Sequence, residues 1–136
     1  MSPEFEQLKR DVGGNTEILN PIVSLEKLEE LCKGDEILEN LLADALDYSV
    51  RYTEDVARFK QVEAQGSKAK ESGVYDEASK KRERTHNATI DALNILARNL
   101  TKRGRDGSWI DKLGGVRAAY MKLALLLGFA CLERKS

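Results

Sequence analysis

Residues 35–64 read DEILENLLADALDYSVRYTEDVARFKQVEA, and this stretch decides the fold. Its apolar and small positions are Ile37, Leu38, Leu41, Leu42, Ala45, Tyr48, Ser49, Tyr52, Val56, Phe59 and Val62. They recur at steps of three and four, the period of an α-helix with one buried face. No proline interrupts the run, and Asp35 stands where an N-cap is needed. The spacing therefore predicts one long amphipathic helix from Asp35 to about Ala64. A helix of that length buries its stripe only against other helices.

Outward from it, the chain supplies those partners. Upstream, Ser24 is placed to cap a short helix with Leu25, Leu28, Leu31 and Cys32 on one face, and Gly34 ends it. Downstream, QGSKAKESG at 65–73 reads as a flexible polar connector. Asp76 is expected to cap the next helix, whose stripe includes Ile90, Leu93, Ala97 and Leu100 and which Gly104 ends. GRDGS at 104–108 reads as a turn with Ser108 as a cap. Gly114-Gly115 is expected to divide the C-terminal helical region into a short and a long piece, since glycine in a helix interior costs about 1 kcal/mol relative to alanine. The run LALLLGFACL at 123–132 is apolar on all sides. It is shorter than the roughly 20 residues a bilayer span requires, so a buried helix is expected rather than a membrane segment.

The expected fold is all-α: an antiparallel helical bundle of about four helices, one short and three long. It forms a single domain at 24–136, after an irregular N-terminal arm at 1–23. The two long helices flanking the connector should form an antiparallel hairpin. Within the arm, Ser2–Phe5 resembles an expression-vector scar and carries no functional reading.

With 22 basic and 23 acidic side chains, the chain is nearly neutral, so no global field draws it to nucleic acid or membrane. The charges are unevenly placed: residues 1–65 carry 15 acids and 7 bases, residues 66–136 carry 8 acids and 15 bases. Acidic helices packed beside basic ones account for this within the fold. Cys32 and Cys131 are far apart in apolar contexts and match no metal or disulfide spacing. Together with an N-terminus, MSPEFEQLKR, that lacks an apolar signal core, they suggest a reducing, cytoplasmic setting.

Chemistry-bearing residues fall into three groups. The first surrounds His86, the only histidine, in RERTHNATIDAL at 82–93. Stepping back from Leu93 and Ile90 places His86 and Glu83 on the core stripe. In an antiparallel hairpin, Tyr52 comes level with His86, Tyr48 with Asp91, and Asp55 with Glu83 and Arg84. A polar cluster of Tyr52, Asp55, Glu83 and His86 is expected, closing one end of the core. A di-iron bundle requires two Glu-x-x-His sets, and one histidine cannot complete them. Asp55, Glu83 and His86 are the minimum for a mononuclear site.

The second group is Glu26-x-x-Glu29 followed by Asp44-x-x-Asp47. This spacing resembles the acidic pattern of the all-α nucleotide pyrophosphohydrolases, Glu-x-x-Glu and then Glu-x-x-Asp on neighbouring helices. The resemblance rests on four residues and departs at Asp44, where that family has glutamate. It implies a magnesium-dependent nucleotide hydrolase with Glu26, Glu29, Asp44 and Asp47 as ligands, and oxygen donors suit that hard cation.

The third group is basic: KKRER at 80–84, and Arg98, Lys102, Arg103 and Arg105 around the end of the third helix. With Trp109 as a stacking surface they outline a nucleic-acid-binding alternative. Bases at a helix C-terminus also complement its dipole. No catalytic triad, activated cysteine or phosphate-cradling loop can be read. The expectation is a non-enzymatic interaction or regulatory module, without a cofactor, with a protein partner or self-association into a homodimer.

Overall fold

The computed structural model describes residues 21–105 and 116–135. They form α1 (Pro21–Cys32), α2 (Glu36–Ala64), α3 (Ser67–Glu71), α4 (Val74–Lys102) and α5 (Val116–Lys135). No strand occurs among the described residues. The architecture is the expected all-α bundle with three long helices. The N-terminal arm up to Asn20, the turn with Ser108 and Trp109, and Gly114-Gly115 lie outside the described residues.

Helix α2 begins where its cap predicts. The Asp35 carboxylate accepts from the backbone N–H groups of Ile37 and Leu38 at 3.0 and 3.1 Å. Two other starts differ from the sequence reading. Helix α1 begins at Pro21 rather than after Ser24. Proline suits a first helical turn, where its fixed φ is already helical and its missing N–H would have had no partner. Helix α4 begins at Val74, ahead of Asp76, directly after Gly73.

The connector also differs. Instead of a loop it holds α3, one and a half turns long, between Gly66 and Gly73. Both glycines have positive φ, 65° and 80°, and reverse the chain at either side of the short helix. Ala69 of α3 is buried against Phe59, Val62 and Ala78, and this small apolar cluster fixes the hairpin tip.

Helices α2 and α4 run antiparallel, and their register is visible side chain by side chain. The Thr89 hydroxyl donates to the Tyr48 carbonyl at 3.1 Å. One turn on, the rings of Tyr52 and His86 meet edge to face at 5.9 Å. Next, Lys81 lies 3.7 Å from Asp55, and at the tip the rings of Phe59 and Tyr75 are 5.3 Å apart.

The core lies on one side of this hairpin. Leu38, Leu42 and Ala45 of α2 and Leu93, Leu96 and Leu100 of α4 meet Leu25, Leu28 and Cys32 of α1 and Ala124, Leu127, Phe129 and Ala130 of α5. Each fully buried leucine contributes on the order of 1.5–3 kcal/mol through removal from water. The apolar run near the C-terminus thus supplies a buried helix face, and no helix among the described residues is long and apolar enough to cross a membrane. Among the described residues, no helix covers the other side of the hairpin, away from α1 and α5.

Candidate functional site

The open side carries a groove. It has a volume of about 300 Å³ and is lined by Leu41, Asp44 and Tyr48 from α2 and Ala88, Asp91, Ala92 and Ile95 from α4. Helical spacing places these residues together: Leu41, Asp44 and Tyr48 are three and four apart, as are Ala88, Asp91, Ala92 and Ile95. Ile37, one turn before Leu41, extends the same stripe and is 56% exposed, and Ile95 is 38% exposed. These are the two large hydrophobic side chains most open to solvent among the described residues.

The groove has an apolar floor and acidic walls. Ala88 and Ala92 keep the floor low, while Leu41, Tyr48 and Ile95 line its length. Asp44 and Asp91 stand on opposite walls and are both exposed. Neither forms an ion pair with a described residue. From the Tyr48–Thr89 contact, the two acids are offset by roughly two residues, or ~3 Å of helix rise. Arg51 lies outside, bound to Asp47 at 3.1 Å and stacked over the Tyr48 ring at 5.9 Å. Arg98 borders a second depression on α4, beside the groove, with Asp91, Asn94 and Ile95.

The polar cluster forms only in part. Tyr52 and His86 meet through their rings, and the polar contact of His86 is Nδ1 with Asn87 Oδ1 at 3.2 Å, not with a carboxylate. Burial raises the Tyr52 phenol above its ordinary pKa, with Arg82 opposing. Asp55 is buried, but it faces Lys81 through Oδ1, and its Oδ2 has no hydrogen-bond partner among the described residues. Glu83, expected on the core stripe, is exposed. The α4 stripe rotates to Arg82 here, whose guanidinium lies 4.3 Å from the Phe59 ring centre. A charged residue with a long aliphatic stem covers the core end better than a short acid does.

The carboxylate set of the resemblance is dispersed. Glu26, Glu29, Asp44 and Asp47 are all exposed. Glu29 is held by both Nη atoms of Arg134, at 2.6 and 3.0 Å, and Asp47 by Arg51. Asp44 belongs to the groove wall. Among the described residues, no three His, Cys, Asp or Glu side chains come together to hold a metal ion. The donor set implied by the pyrophosphohydrolase pattern therefore does not fit a magnesium centre here, because each helix turns its acids outward.

The basic set is divided as well. Arg103 donates to Asp35 at 2.7 Å and to the Asn99 side chain at 2.8 Å. Arg105 donates to the carbonyls of Leu31 and Lys33, at 2.8 and 2.9 Å. These two arginines tie the end of α4 to the end of α1 and the start of α2, serving as a C-cap rather than a phosphate-facing pair. Arg98 and Lys102 remain exposed. Trp109 lies outside the described residues.

No protein-family model, curated protein or solved structure matches this chain. The groove was not among the sequence candidates, although a signal for it exists. The apolar doublets Ile37-Leu38 and Leu41-Leu42 make a stripe wider than one helix seam: Leu38 and Leu42 are buried in the core, Leu41 packs against it half-buried, and Ile37 is exposed.

Proposed function

We propose that this protein is a non-enzymatic interaction module, regulatory or adaptor in type, which receives a protein partner on the open face of its α2–α4 hairpin. The observation that supports this reading is the groove itself. Ile95 on its α4 wall and Ile37, one turn beyond Leu41 on α2, are 38% and 56% exposed, both toward the Leu41 end of the groove. Two exposed isoleucines on facing helices beside one groove suit a docking surface better than isolated surface positions would. The internal use of Arg103 and Arg105, and the outward scatter of the acids, weigh against the nucleic-acid and hydrolase readings.

Affinity capture with the purified chain and with Ile37→Glu/Ile95→Glu tests it. Both positions are exposed, so the variant should keep its helical circular dichroism. A specific partner is expected on the parent chain and lost on the variant. Equal capture by both, or nucleotide turnover with added magnesium, overturns the reading.

A further inference from the structure

Resting on that reading, we infer that the groove takes an amphipathic helix with basic flanks, presented by a different protein. Three observations on the groove carry this. First, its walls are two helices, whose backbone N–H and C=O groups are already paired within each helix. An extended peptide would find no backbone partners there, whereas a helix satisfies its own. From Ile37 to Tyr48 the stripe runs ~17 Å, room for roughly three turns of a docked helix. The low floor at Ala88 and Ala92 admits a ridge of larger side chains between the walls.

Second, the flanks are selected by charge. Asp44 and Asp91 line the groove from its two helices, exposed and without ion-pair partners among the described residues. The nearest α2 arginine, Arg51, is engaged with Asp47 and the Tyr48 ring. A docked helix carrying Lys or Arg on both sides of its apolar stripe meets an acid on each wall. A helix carrying Glu there meets two like charges.

Third, the same acids disfavour a second copy of this chain as the occupant. A twofold dimer places the patch against itself. With the axis through the middle of the groove, Asp44 and Asp91 would approach their own copies, while Arg98 lies off toward one end.

Two synthetic helical peptides of roughly four turns test the inference, both with the same Leu/Ala stripe, one flanked by Lys and one by Glu. They are titrated by fluorescence anisotropy into the full chain and into Asp44→Lys/Asp91→Lys. The parent should bind the Lys-flanked peptide roughly tenfold more tightly, with the difference shrinking as salt rises. The doubly reversed variant, checked for unchanged helicity, should prefer the Glu-flanked peptide. Absence of saturable binding by either peptide, or a preference that ignores the reversal, overturns the inference. So does a dimer in sedimentation that Ile95→Glu dissociates, since the second copy would then be the occupant. Failure of the functional reading is a separate result: partner capture unaffected by Ile37→Glu/Ile95→Glu. Charge-blind peptide binding with capture still lost on that variant removes only the basic helix.

Discussion

Gly128 of α5 packs directly on Thr53 of α2, with no room between them for a β-carbon. A β-carbon at Gly128 would overlap the Thr53 hydroxyl and lie 2.8 Å from the Ser49 carbonyl oxygen. Ser49 and Thr53 are themselves fully buried. The Thr53 hydroxyl is turned back to the Ser49 carbonyl at 2.8 Å, so it cannot swing away freely. Helices α2 and α5 thus approach at a point where three small residues meet.

That contact yields the first prediction. Gly128→Ala gains about 1 kcal/mol of helix propensity but must push two backbones apart, an overpacking cost of roughly 1–3 kcal/mol. Net destabilisation of about 1 kcal/mol is expected for alanine, and a larger one for Gly128→Val. Urea unfolding monitored by circular dichroism measures both. A more stable Gly128→Ala would mean that α5 does not sit at this distance.

Ser49 leads to the opposite expectation. It is fully buried and its Oγ has no hydrogen-bond partner among the described residues. An unsatisfied buried hydroxyl costs on the order of 1 kcal/mol, and alanine keeps the small size the helix contact demands. Ser49→Ala should raise the urea midpoint. A fall would show that the hydroxyl is satisfied in solution.

Acid should weaken two of the ties between helices. The Asp35 carboxyl is held below its usual range by the Leu38 backbone N–H, with Arg103 and the Ile37 N–H adding to this. Glu29 is lowered by its hydrogen bonds to Arg134. Both folded values are depressed, so the stability linked to them is fully present above the unfolded values, about 4. It is lost as pH falls through the folded values. Stability against urea should therefore decline below about pH 4, and less steeply in Asp35→Ala/Glu29→Gln. The Glu29 share should be small and salt-sensitive, since both partners remain substantially exposed. Parallel pH curves for parent and variant would exclude these two carboxylates as the source.

Cys32 offers a chemical probe of α1 docking. It is buried in the core, and burial pushes its thiol up to about 11. Thiolate is then scarce at neutral pH and access is closed. Under native conditions the Cys32 peptide should stay unmodified by iodoacetamide in mass spectrometry, and become modified in urea. Labelling at the same rate in both conditions would place α1 off the core.

Much of the bundle was determined by the amino-acid sequence alone. The three-and-four spacing from Ile37 to Val62 makes α2 a helix with one apolar face, and Asp35 starts it. The antiparallel pairing that sets Tyr52 against His86 follows once two such helices are joined by a short connector, although Tyr48 meets Thr89 rather than Asp91 and Asp55 meets Lys81 rather than Glu83. These are local properties, because a side chain's bearing on a helix depends only on its position in the chain. Which bearing meets which neighbour is not local, and the tertiary structure decided it. It buried Leu38 and Leu42, left Leu41 half-buried between core and groove, and left Ile37 exposed, because among the described residues α1 and α5 lie on one side of the hairpin. It spent Arg103 on Asp35 and Arg105 on the end of α1, residues about seventy positions apart whose pairing no spacing rule encodes. It also turned Glu83 outward and put Arg82 over Phe59, since the core end needed a long aliphatic cover. Periodicity specifies a helix's own face, and only the packed neighbours determine whether that face becomes core, cap or open surface.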